Sequence, residues 1–225
     1  MSAVTLARPW LTFELGREMQ VLSWAINRPG FVMARRILWR EVRNADLPQD
    51  MDVRQWLKGE LHARGEDGCV AFLTSRDVTC YTQSSVTTEG VTAESVATVG
   101  LSNAERVGSR VERQMPDWGT INIAVRLSCG LSQTALIEAI SIAAQARTAA
   151  IIEAGLALPT GLATGTGTDC IAVAAPMGTE EYAGLHTSIG AALGAAVYDA
   201  TTRGAQEWKS DVGSRQKAGT EYAGS

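Results

Sequence analysis

Alternating apolar and polar positions dominate the first hundred residues. Leu11–Leu15 (LTFEL) alternates, Met19–Ile26 (MQVLSWAI) is apolar and partly β-branched, and Phe31–Val42 (FVMARRILWREV) is a longer run of the same kind. Asn27-Arg28-Pro29-Gly30 supplies the turn between the last two. From Asp52 to Arg64 the period changes. Val53, Trp56, Leu57 and Leu61 recur every three or four residues, which is one face of a helix. Strand character returns in Cys69–Thr74, Val78–Val86 and Val91–Leu101, whose short links favour antiparallel pairing. Ser102–Trp118 is polar and reads as a long loop, functional or mobile, before the clean alternation of Thr120–Val125 (TINIAV).

Helical patterns then take over. Ser132 is placed to cap a helix predicted to reach Ala154, with Gly155 just past its end. Apolar residues nearly encircle that helix, so burial on most sides is expected. After Pro159 a glycine–threonine loop leads into a strand at Cys170–Ala175. A last helix, Thr187–Trp208, opens with the small residues Gly190-Ala-Ala-Leu-Gly194, which permit close approach to a neighbour. Residues 209–225 are polar and read as a disordered tail, leaving 1–208 as one domain. Strands come first and long helices later, without regular βαβα alternation. The expected class is α+β, a mixed, largely antiparallel sheet with long helices packed over it; an α/β layered sandwich is the alternative.

Composition narrows the function. Twenty Lys and Arg against 24 Asp and Glu give a net charge of −4, which argues against nucleic acid as a partner. The opening MSAVTLARPWLTFEL lacks the order of a secretory leader, and no uncharged apolar run reaches the roughly 18 residues of a membrane helix. Cys69, Cys80, Cys129 and Cys170 are scattered and form no C-x-x-C pair, so they read as reduced thiols of a cytoplasmic protein. Two histidines cannot build a three-histidine zinc site, and neither H-E-x-x-H nor G-x-S-x-G occurs. Only three lysines are present, which disfavours a Ser–Lys centre. Neither a metal nor a cofactor is expected.

The chemistry-bearing candidates are few. In Thr164-Gly165-Thr166-Gly167-Thr168-Asp169 an extended chain projects the threonines to one side and Asp169 to the other. The glycines let a ligand approach and leave amide groups free to donate; equally, the threonines can bond their own backbone in a tight loop. His186 precedes the last helix, whose dipole favours its neutral form, although a capping or merely exposed histidine fits the same place. His62 reads as a helix-surface residue. Asn122 points opposite Ile121 and Ile123, towards a polar or ligand-facing side of the sheet. Asn103 and Arg106, in the long polar loop, read either as ligand groups or as a turn-former and a solvated charge. Glu138 stands alone in an apolar helix segment and needs a partner if buried.

Taken in order, Val99-Gly-Leu-Ser-Asn-Ala-Glu-Arg-Val-Gly108, Gly119-Thr-Ile-Asn-Ile123, Thr164-Gly-Thr-Gly-Thr-Asp169 and Tyr182-Ala-Gly-Leu-His-Thr187 resemble the adenosylcobinamide amidohydrolase (CbiZ) family, over roughly residues 10 to 205. One departure is Gln145-Ala-Arg147, where many members carry an acidic residue before the basic one; it reads as a packing position. The resemblance implies hydrolysis of the amide between the corrin side chain and aminopropanol, on a corrinoid that brings its own cobalt. Such a reaction needs a base, an acid and oxyanion donors. His186 is the expected base and acid, with Asp169 orienting it; Thr166 or Thr168 as nucleophile is the competing mechanism. Thr164, Gly165, Gly167, Asn103, Arg106, Asn122 and Glu138 are the expected substrate-binding positions. A noncatalytic corrinoid-binding protein and an amidase for another bulky amide are the alternative functions. Self-association is left open.

Overall fold

The computed structural model describes residues 3–43, 46–48, 50–109 and 119–221. In chain order the elements are β1 (Val4–Ala7), β2 (Trp10–Ser23), β3 (Gly30–Glu41), α1 (Val53–Ala63), β4 (Val70–Thr74), β5 (Tyr81–Thr88), β6 (Val91–Val99), β7 (Ala104–Glu105), β8 (Ile121–Leu127), α2 (Gln133–Ala154), β9 (Ala157–Leu158), β10 (Gly161–Leu162), β11 (Gly165–Thr166), β12 (Cys170–Ala175) and α3 (Ser188–Glu221). One sheet runs β4-β3-β2-β12-β8-β6-β5, with β1 added alongside β2. Its pairs are antiparallel except β3–β4 and β12–β8. Each parallel pair is bridged by a helix, α1 for the first and α2 for the second, as a parallel crossover requires. The class is α+β.

Local chemistry explains most boundaries. Asp52 Oδ1 accepts the amides of Arg54 and Gln55 and starts α1. Ser132 Oγ accepts the Ala135 amide and starts α2, which ends at Gly155 with φ +69°. The two predicted strands Leu11–Leu15 and Met19–Ile26 are one strand, β2. Its pairing with β3 shifts between Glu14 and Met19, where Gly16 takes φ +79°, so the polar break is a bulge and not a turn. α3 continues past the predicted end at Trp208: Lys209 Nζ donates to Ala154 O (2.6 Å) and Asp211 pairs with Arg76 (2.7 Å). The first part of the predicted loop Ser102–Trp118 is β7 plus a bridge between Arg106 and Ser109; residues 110–118 lie outside those described, as do 222–225 of the expected tail.

Both faces of the sheet are covered. Ile121, Ile123, Val125, Ile171 and Val173 face α2 and α3. Ala124, Ala172, Ala174 and Val96 face the other way and share a core with Phe13, Val21, Ile37, Trp39 and Phe72. That second face closes because the sheet curls: Asn122 Nδ2 on β8 donates to Leu73 O on the edge strand β4 at 2.7 Å. Each fully buried aliphatic in β8 and β12 contributes roughly 1.5–3 kcal/mol. α2 has the length and mean hydropathy (1.4) of a membrane span, and its position against the sheet and α3 accounts for that composition.

Candidate active site

The parallel strands β8 and β12 begin side by side, with Cys170 opposite Asn122. The segments entering them therefore meet. β11, inside the TGTGTD segment, pairs with β7 from the SNAER segment, placing Gly165 opposite Glu105 and Thr166 opposite Ala104. Thr168 Oγ1 donates to Gly119 O (2.9 Å), and Thr120 Oγ1 donates to Thr168 O (2.9 Å). Asn103 Nδ2 donates to Thr168 Oγ1 (3.2 Å). Three motif segments far apart in sequence form one hydrogen-bonded cluster at one end of the sheet.

Asp169 is its centre. Its side chain is 7% exposed and takes four donors. Oδ1 accepts the Ile121 amide (3.2 Å) and the Thr166 hydroxyl in a short contact. Oδ2 accepts the Thr166 amide (3.0 Å) and Arg147 Nη1 (2.5 Å), which also donates to Thr164 O (3.1 Å). Burial pushes the Asp169 carboxyl up from the ordinary range, opposed by the Arg147 charge and by these donors. Gly165 is glycine because a Cβ there would overlap Arg147 Nη1 and sit 2.5 Å from Asp169 Oδ2. Arg147, to which sequence reasoning assigned no role, thus belongs to the cluster. Its signal was available: it is the only basic residue in α2.

The threonines separate by their partners. Thr164 Oγ1 accepts the Val107 amide (2.7 Å) and donates to Glu105 O (3.3 Å), which makes it a joint between loops. Thr168 is committed to Gly119 and Asn103. Half-buried Thr166 is the one whose proton is aimed at a carboxylate. The loop amides are not the free donors expected: Thr166 N–H goes to Asp169, Gly167 N–H to Asn103 O (3.4 Å) and Thr168 N–H to Thr166 Oγ1 (3.4 Å). Asn103 Oδ1 is buried and, among the described residues, has no hydrogen-bond partner. Arg106 Nη1 donates to Leu162 O (3.1 Å), pinning the neighbouring loop.

The other expected groups lie elsewhere. Asn122 is buried and spent on Leu73, so it faces the closed core and not a ligand. Glu138 finds its partner in the Ala183 amide (2.6 Å), and Gly184 leaves room for its carboxylate. That contact sits at the far end of β12, because α2 runs back along the strand and Leu131, ahead of α2, bridges to Met177 beyond it. Arg147 and Glu138 are nine positions apart on α2, about 13 Å of helix. His186 is exposed on the Glu138 side and, among the described residues, has no hydrogen-bond partner. The expected pairing of Asp169 with His186 is not formed: Asp169 stands just before β12, and His186 lies beyond its far end. His62 is exposed, with Nδ1 3.2 Å from Asp67.

Sequence reasoning also missed Trp24. Its Nε1–H donates to Asp169 O (2.7 Å) from the end of β2, a contact no local pattern announces. Among the described residues no three His, Cys, Asp or Glu side chains cluster as a metal site.

No curated protein matches the chain. The family model for adenosylcobinamide amidohydrolase matches residues 2–213, nearly its whole length, and all three segments of the cluster lie within that match. The chain belongs to the adenosylcobinamide amidohydrolase (CbiZ) family, amidohydrolases acting on adenosylcobinamide.

Proposed function

We propose that the chain cleaves the amide joining the corrin propionyl side chain to aminopropanol, releasing adenosylcobyric acid and 1-amino-2-propanol for corrinoid salvage. The chemistry is placed at Thr166 and Asp169. The observation that carries this assignment is the Thr166 hydroxyl directed at Asp169 Oδ1. A carboxylate whose basicity is raised by burial is suited to take that proton. Thr166 Oγ attacks the amide carbon as its proton passes to Asp169. Asp169 then returns the proton to the departing amine nitrogen, leaving an ester on Thr166. Water, with Asp169 again as base, hydrolyses the ester to the carboxylate. Cobalt enters only as part of the substrate. The four separate cysteines, with Cys69 and Cys170 pushed up to about 12 by burial, suit a reducing, cytoplasmic setting.

Incubation with adenosylcobinamide and mass analysis of both products tests the reaction. Thr166→Val and Asp169→Asn, each shown folded by its melting curve, should lose about a hundred- to ten-thousand-fold in kcat. Near-full turnover in both variants would move the reacting groups elsewhere.

A further inference from the structure

An exposed apolar strip begins at Trp24 and belongs to no element of the catalytic cluster. Trp24 is 47% exposed, and Phe31 and Met33 on β3 are 39% exposed each. The β2–β3 register sets Phe31 opposite Leu22 and Met33 opposite Gln20. Alternation along β2 puts Gln20 and Leu22 on the face that Phe31 and Met33 share. Gln20 is buried and donates to Leu131 O, so the exposed part of this face is apolar, and Trp24 follows just past the end of the strand. Its other wall is α2, which touches β2. Ile140, Ala144 and Leu22 are partly buried against the same core, and Ile137, one turn from Ile140, is 53% exposed. From Gln20 to Trp24 the strip measures about 13 Å along the strand.

We infer that this strip is the seat of the corrin ring, an inference that rests on the corrinoid amidohydrolase reading above. Two observations direct the choice of occupant. First, the strip is continuous with the reacting loop, because the Trp24 indole is bonded to the main chain of Asp169 itself. Second, the scissile amide hangs from the ring edge by a propionyl chain, about 5 Å of covalent bonds. A ring whose amide reaches Thr166 must therefore rest on the surface next to that loop. Among the described residues Val107 and Leu162 are exposed on the loops of the cluster itself, while Trp24, Phe31 and Met33 line one continuous strip of sheet beside it. The conjugated, methylated face of a corrin is the complement of such a surface, since contiguous apolar patches mark places where a ligand excludes water. The scissile amide's edge of the ring faces the reacting loop, and the remaining amides of the rim point outward to solvent.

The test uses binding as well as turnover. Adenosylcobyric acid lacks the scissile bond, so its titration against the full chain reads the seat without the chemistry. Phe31→Ser and Met33→Ser should each weaken its affinity about tenfold. They should raise KM for adenosylcobinamide to a similar extent and leave kcat within about threefold. Leu6→Ser, at an exposed residue on β1, is the control and should change neither. Wild-type binding that survives both β3 substitutions would overturn the seat while leaving the hydrolase reading intact. A wild-type chain that neither binds nor cleaves a corrinoid would overturn both. Altered self-association with unchanged corrinoid affinity would make the strip a face between copies and would also overturn the proposal.

Discussion

Arg147→Met keeps most of the side-chain stem and removes the charge. Arg147 Nη1 lies 2.5 Å from Asp169 Oδ2, with the two side chains only 16% and 7% exposed. Removing one partner of a buried ion pair costs about 3–5 kcal/mol, because the other charge is left uncompensated. Asp169 keeps donors from Thr166 and Ile121, and Arg147 is not wholly shielded, so the lower end, about 3 kcal/mol, is expected. For a chain of this size that is a fall of roughly 6–12 °C in Tm. The loss also has a signed pH dependence. Burial already holds the Asp169 carboxyl above its ordinary range, and Arg147 opposes that rise. Without Arg147 the carboxyl rises further. The variant's stability is then present at low pH and lost as pH rises through the folded-state pKa of Asp169. Urea unfolding followed by circular dichroism, from about pH 8 down to about pH 5, should show the gap to wild type narrowing on acidification. A variant as stable as wild type at the alkaline end, or a gap independent of pH, would refute the role assigned to the pair.

The two loop glycines should behave differently. Gly165→Ala places a methyl group on Arg147 and should cost about as much stability as Arg147→Met, whereas Gly167→Ala, with Glu105 Cγ its nearest neighbour at 3.9 Å, should melt within about 0.5 kcal/mol of wild type. Equal losses in the two would contradict the packing described. His186→Ala should keep turnover within about tenfold of wild type, in contrast to Asp169→Asn; collapse of turnover in the folded histidine variant would shift the chemistry to the opposite end of β12. Dialysis against a strong chelator should leave hydrolysis unchanged, and recovery by zinc of activity lost on chelation would show that a metal participates.

Elements governed by neighbours in sequence were legible. Ser132 and Gly155 bracket α2 as capping chemistry dictates, and the alternation of TINIAV is β8. What escaped was set by distant pairing. Asn122 alternates away from Ile121 and Ile123 as expected, but the curl of the sheet brings Leu73 over it and turns a ligand-facing position into a buried tie. The convergence of the motif segments depends on β7 and β11, ribbons of two residues each, too short to carry any periodicity. Arg147 could have been found by the argument that singled out Glu138: the one positive charge on a largely apolar helix needs an opposite partner if it is buried, and Asp169 is that partner. The Asp169–His186 pairing failed for a topological reason. Residues at the start of a strand and residues in the loop after it are separated by the strand's whole length, however close their motifs stand in sequence.

The way the cluster distributes its hydrogen bonds constrains its chemistry further. A buried carboxylate held by Ile121, Arg147 and two groups of Thr166 cannot swing to a second partner without leaving donors and a guanidinium unpaired, at about 1–3 kcal/mol for each orphaned group. In the proposed acylation step the proton reaching Asp169 therefore comes from a group already touching it. Among its contacts with the described residues only the Thr166 hydroxyl is both a transferable proton and a nucleophile; water takes that place once Thr166 is esterified. The same accounting applies to recognition. The amides of Thr166 and Thr168 are consumed within the loop and that of Gly167 by Asn103 O, so they offer a large substrate little to bind. Binding energy has to come from surface beside the loop, and Trp24, Leu22, Phe31 and Met33 are placed to supply it. In the proposed arrangement, a rigid reacting pair beside an apolar seat, affinity and catalysis can be lost separately.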